Sequence, residues 1–259
     1  MTEEEWATCT DPVKMLEFIV KRGTATERKA RLFVAACCRR IWHLATDDRA
    51  RAAVEVGERF ADGVASEQVC EAAARVAIEA RKEASSRVGD LASASGWGPN
   101  ARAAEALRLA LNTCDCAATG PYRPGPASKL AFLPYIAPMA SLAVSYANGG
   151  AGVEEVGDQA EQAGQVVLLR DIFGNPFRPF PAIDPVWLNW QGGIVKNLAE
   201  AAYENRSLPD GTLDRDRLAV LADALEEAGC TDADLLDHLR EPGPHVRGCW
   251  VLDLILGMQ

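Results

Sequence analysis

The stretch Thr26-Glu27-Arg28-Lys29-Ala30-Arg31-Leu32-Phe33-Val34-Ala35-Ala36-Cys37-Cys38-Arg39-Arg40-Ile41-Trp42-His43-Leu44 decides the fold class. Thr26 is a residue type whose hydroxyl caps a helix N-terminus. Behind it Leu32, Phe33, Ala36, Cys37, Arg40, Ile41 and Leu44 recur at intervals of three and four, which places them on one side of a 3.6-residue helix. A helix is therefore predicted over residues 27 to 45. Phe33, Cys37, Ile41 and Leu44 are expected to face a core, with Arg31, Arg39 and Asp48 wet. Arg28, Lys29, Arg31, Arg39 and Arg40 spread around most of the circumference, so they read as a solvated face and not as a footprint for nucleic acid.

The same punctuation continues on both sides. Upstream, Thr2 with Glu5 has the capping-box pattern, and Asp11-Pro12 sets an N-cap before a proline at the first helical position, with Gly23 as the stop. Downstream, a helix opens at Asp47 or Asp48 and closes at Gly63. Ser66 caps a long one over residues 67 to 95, with Val69, Ala73, Val76, Ala80, Val88 and Leu91 among many alanines. Asn100 starts another through Leu107, Leu111 and Cys114. The prolines of residues 120 to 126 require a loop, and Pro134 and Pro138 should kink or break a segment over residues 129 to 147. Gly149-Gly150-Ala151-Gly152 reads as a hinge before a helix over residues 153 to 172.

From Phe173 to Pro181 the chain is proline-fixed and extended, and Asp184-Pro185 starts a new helical turn. Its rings, Phe173, Phe177, Phe180, Trp187 and Trp190, either staple the segment to the body or form an interaction ledge. Helices follow from Gly193 to Asn205, from Asp214 to Ala228 and from Asp232 onward, and Cys249 to Leu256 is apolar enough to be buried. Strand-like alternation is hard to find. The predicted fold is all-α, a multi-helix bundle or orthogonal helical array, with a main domain over residues 1–172, a connection over 173–191 and a small C-terminal helical module over 192–259 packed on the body.

A net charge of −10, from 37 acids and 27 bases, repels phosphate backbones, so no nucleic-acid partner is expected. The acidic opening and the lack of a long apolar run argue against a secretory signal or a membrane span and place the chain in the cytoplasm. Eight cysteines are too sparse for a disulfide scaffold. Most should be free, buried thiols.

Serine-hydrolase, P-loop and dinucleotide signatures are absent. The richest chemical cluster is Cys230, His238, His245 and Cys249, spaced C-x7-H-x6-H-x3-C. Two thiols and two imidazoles are ligand types zinc takes. The spacing lacks the short knuckle of common zinc modules, so the expectation is Cys230 and Cys249 packed in the core with no metal, and zinc is the alternative. Cys114-Asp115-Cys116 lacks companion ligands. Cys38 and His43 diverge around their helix and cannot act as nucleophile and base.

Several motifs carry a resemblance: Thr2-Glu3-Glu4-Glu5-Trp6 with Asp11-Pro12 and Met15-Leu16-Glu17-Phe18, Cys37 to Leu44, Asp171 to Pro179, Leu221 to Cys230, and His245-Val246-Arg247-Gly248-Cys249-Trp250. Together they resemble an uncharacterised paralogous family of planctomycete bacteria over nearly the whole chain, which implies a bacterial lineage and little chemistry. Leu218 to Leu236 is similar in pattern to the repeat-companion domain of those bacteria, an acidic helical hairpin found beside other modules. The expected function is a non-enzymatic protein-interaction or accessory module with a protein partner. The alternative is a zinc-dependent regulator or enzyme centred on the Cys/His cluster.

Overall fold

A computed structural model describes residues 1–119, 130, 132–149 and 158–258. The predicted loop over 120 to 126, the hinge glycine Gly150 with its two successors, and the start of the helix expected from 153 lie outside the described residues. Among the described residues the chain forms α-helices and no strand, which makes the fold all-α, as the periodicity predicts. One isolated bridge, Thr212 to Val246, is the only β-type pairing among them.

The body consists of α1 (Glu3–Thr8), α2 (Pro12–Arg22), α3 (Glu27–Arg40), α4 (Asp48–Ala61), α5 (Glu67–Ser95), α6 (Pro99–Thr119), α7 (Leu133–Ala147) and α8 (Gln159–Phe173). Its caps are those the sequence announces. Thr2 and Glu5 close a capping box, Asp11 accepts from the backbone of Val13 and Lys14, and Gly23 ends α2 in the left-handed conformation. Through α7 the helix is continuous. Pro134 sits in the first turn, where its missing N–H costs nothing, and Pro138 is absorbed inside the helix.

α3 is the axis of the body, packed against α4, α6, α7 and α8. It ends at Arg40, short of the predicted limit, and residues 41 to 44 continue as hydrogen-bonded turns with Trp42 lying under the guanidiniums of Arg39 and Arg51. The apolar stripe holds: Phe33, Cys37 and Ile41 are fully buried and Leu44 is half-buried. Asp48 is exposed as expected, but Arg31 and Arg39 are buried. A helix enclosed on all sides has no wet face, so its charges are satisfied internally. Arg31 donates to the carbonyls of Ala117 and Ala118, Lys29 to the carbonyl of Ile172 at 2.9 Å, and Arg40 to Glu161.

α5 packs chiefly through its small residues. Val69 and Val76 are exposed, and the buried positions are Cys70, Ala74, Ala77, Ala80, Ala84 and Val88. The small residues face α4 and α6 and let the helices close up. α4 and α6 also approach closely at Gly57, where a Cβ would collide with the backbone of Ala117.

The C-terminal module comprises α9 (Pro185–Asn189), a 3-10 turn (Trp190–Gly192), α10 (Ile194–Glu204), α11 (Arg215–Glu227), α12 (Ala233–Arg240) and α13 (Trp250–Leu256). It has an apolar core of its own, centred on Val195, Leu218, Leu221, Leu225, Leu235 and Val251. The connection belongs partly to each side: Phe173 and Phe177 pack on the body's core, whereas Trp187 and Trp190 pack on the module's.

Between the two cores runs a seam of charged groups. Glu58 receives two guanidinium forks, from Arg39 at 2.6 and 2.7 Å and from Arg206 at 2.7 and 2.6 Å. Burial raises its pKa, but hydrogen bonds from the two arginines outweigh that and hold it below the ordinary value. Arg28 reaches Asp253 at 2.6 Å, Asp62 at 3.0 Å and the Tyr203 hydroxyl at 2.8 Å.

Candidate metal centre

The site lies in this seam. Asp171 stands in the last turn of α8. His238 stands in the last turn of α12, whose N-terminus is capped by Asp232 accepting from Leu235. His245 and Cys249 come from the loop between α12 and α13. That loop is pinned by the Leu213 N–H donating to the His245 carbonyl at 2.8 Å and the Val246 N–H donating to Asp171 Oδ2 at 2.9 Å. Gly248, at φ +90°, lets the loop press on Leu32 of α3, where a Cβ would meet the leucine side chain at 2.9 Å.

These residues bring together four donor atoms, one each from Asp171, His238, His245 and Cys249, all within 4.8 Å of one another. Asp171 Oδ1 lies 2.7 Å from His245 Nδ1 and 3.1 Å from His238 Nε2, and His238 Nε2 lies 3.2 Å from Cys249 Sγ. The imidazoles meet edge to face at 4.8 Å. His245 Nε2 points at the Glu241 carbonyl at 3.3 Å, so both of its nitrogens face acceptors.

Electrostatics follow from this packing. Burial raises the Asp171 pKa, but hydrogen bonds from His238 and His245 exceed that effect and hold the carboxyl below its ordinary range. For His245 burial works downward, and the bond to Asp171 prevails and raises the pKa. The Cys249 thiol is pushed well above its ordinary value by burial and by the nearby Asp171 charge. A thiol held in that state is a poor nucleophile.

Three of the four predicted ligands, His238, His245 and Cys249, thus converge, and the fourth does not. Cys230 is 2 % exposed inside the module's own core. It sits at the turn before Asp232, and six residues of α12 at about 1.5 Å each separate that turn from His238. Asp171 takes its place. No local spacing pointed to Asp171, because it lies 67 residues before His238 and meets it only through the docking of the module.

The other candidates stay apart. Cys37 and Cys38 are fully buried while His43 is exposed. Cys116 donates to its neighbour Asp115, whose carboxylate is held by Arg81. The ledge over residues 173–191 is mostly a staple. Phe173 packs against Phe33 and Phe177 stacks on Phe18 at 5.1 Å. Phe180, 42 % exposed, stacks on Trp250 at 5.4 Å, and Trp187 and Trp190 are half-buried.

No protein family, curated protein or solved structure matches the chain. Among the described residues no helix is long and apolar enough to cross a membrane.

Proposed function

We propose that the chain is a non-enzymatic helical interaction or accessory protein, whose C-terminal module is fastened to the body by a buried joint of Asp171, His238, His245 and Cys249. The observation that carries this reading is enclosure: Asp171 is 3 %, His245 4 % and Cys249 0 % exposed. Three of the four groups present almost no surface to a substrate, and His238 is half-buried. A cavity of about 440 Å³ lies instead between α5 and α6, lined by Ala84, Arg87, Leu91 and Leu107. Outward-facing Trp97 and Tyr135 offer apolar surface to a protein partner. The net charge of −10 disfavours nucleic acid, and the working place proposed is the cytoplasm.

Thiol labelling tests the claim. In the folded protein Cys249 is expected to react with iodoacetamide more slowly than the half-buried Cys9, because its thiol is buried and protonated. Faster labelling of Cys249 would mark an activated nucleophile and overturn the non-enzymatic reading. For the joint itself, Asp171→Asn is expected to speed amide exchange in α10 to α13 more than in α5 and α6. A second reading, a zinc-dependent regulator, is favoured by one observation: the joint's carboxylate, two imidazoles and thiol are all ligand types that zinc accepts.

A further inference from the structure

We infer that the joint is a zinc site, in which Asp171, His238, His245 and Cys249 hold one ion that locks the C-terminal module onto the body; this rests on the joint proposed above. The donors come from α8, α12 and the loop before α13, so a shared ion ties together segments that no short motif links. Zinc lies about 2.0 to 2.3 Å from its ligands, which sets tetrahedral donor-to-donor edges of roughly 3.3 to 3.8 Å. The separations of 2.7, 3.1 and 3.2 Å and the outer limit of 4.8 Å bracket those edges. An ion therefore requires the close pairs to part and the widest pair to draw in, each by roughly an ångström or less.

For two of the four ligands, His245 and Asp171, the outer shell is already in place. Metal-bound histidines characteristically donate their second nitrogen to a carbonyl or carboxylate. His245 Nε2 faces the Glu241 carbonyl, the arrangement that leaves Nδ1 free to coordinate. The Val246 N–H occupies Asp171 Oδ2, leaving Oδ1 as the single carboxylate donor toward the centre. As the ion enters it displaces the proton of the Cys249 thiol and any proton held between His245 Nδ1 and Asp171 Oδ1, and these protons leave to solvent. One thiolate with two imidazoles selects zinc over magnesium or calcium, which prefer all-oxygen sets. Four protein ligands leave no open position, which is the pattern of a structural and not a catalytic ion.

The test uses the full chain, stripped with chelator and then offered Zn²⁺ or Co²⁺. Elemental analysis after desalting is expected to give about one zinc per chain, and added zinc is expected to raise the melting temperature. Cobalt should show tetrahedral d–d bands and one thiolate charge-transfer band. Cys249→Ser should abolish that band, and Cys230→Ser should retain both band and stoichiometric metal. Retention of stoichiometric metal by Cys249→Ser, or its loss in Cys230→Ser, would overturn the ligand set. The cobalt spectrum of the unmodified chain needs no variant to fold. A wild-type chain that retains no zinc and does not melt higher with it overturns the inference, while faster exchange in Asp171→Asn would still support the joint. The converse, stoichiometric metal with unchanged exchange in Asp171→Asn, removes the fastening role and keeps the ion.

Discussion

The two sides of α3 solve burial by different physics. On one side Phe33, Cys37 and Ile41 join an apolar core with no exposed surface. On the other, Arg28, Lys29 and Arg39 reach into the seam toward the C-terminal module, where their charges meet Asp253, Asp62, Glu58 and the Ile172 carbonyl. The apolar side tolerates approximate shape and loses energy in proportion to volume removed. The charged side is all or nothing, since each buried ion relies on a particular partner. Polar pairs thereby fix the register of the module, while Val246 joins the body's apolar core and anchors the loop there.

The largest expected effect breaks the charged side. Glu58→Ala leaves the Arg39 and Arg206 guanidiniums buried opposite no carboxylate, and removal of one partner from a buried ion pair costs about 3 to 5 kcal/mol. The triple change Arg39→Met, Glu58→Leu, Arg206→Met removes all three charges together and is expected to recover most of that loss. Urea titrations of the three proteins decide it. If the single variant melts with the wild type, the triad is hydrated and the contrast with the apolar side disappears.

The next effect sharpens the apolar side. Gly57→Ala places a Cβ against the Ala117 backbone, and overpacking of this kind costs about 1 to 3 kcal/mol. The loss should appear as faster amide exchange in α4 and α6 while the seam stays protected. Exchange spreading to α12 and α13 would show the two regions to be one cooperative unit.

The same contrast explains what could be read from the chain. Apolar spacing and caps are local, so Thr2, Asp11, Thr26, Ser66, Asp214 and Asp232 mark helix starts that the structure keeps. Burial of charge is not local. Arg31 and Arg39 read as wet because their partners, the Ala117 carbonyl and Glu58, sit on other helices. On α5 the apolar positions read from the chain divide, with Ala80 and Val88 buried and Val69 and Val76 exposed. At the joint, His238, His245 and Cys249 were legible as a cluster of rare residue types within a short span. Asp171 was one of many aspartates, and only the docked module distinguishes it.

The smallest effect concerns pH and applies to the metal-free protein. Asp171 has a folded pKa held below its ordinary 3.8, so its contribution to stability is present above that value and fades as pH falls through the lower folded one. His245 is raised above its ordinary 6.5, so its contribution is full below that value and fades as pH rises through the higher folded one. Together they predict that the joint contributes most from about pH 4 to pH 6.5, with separate losses on either side. Other carboxyls act oppositely on the acid limb: burial raises Asp253 and Glu161 despite their arginine partners, and protonation relieves them. The informative quantity is therefore the difference in melting temperature between wild type and Asp171→Asn across pH. That difference should be widest within the window and narrow toward both limits, because the amide substitution removes the charge that sustains both shifts. Parallel curves from pH 3 to pH 9 would mean that the Asp171 and His245 charges are not coupled in the fold, and the seam would then hold the module through its arginine pairs alone.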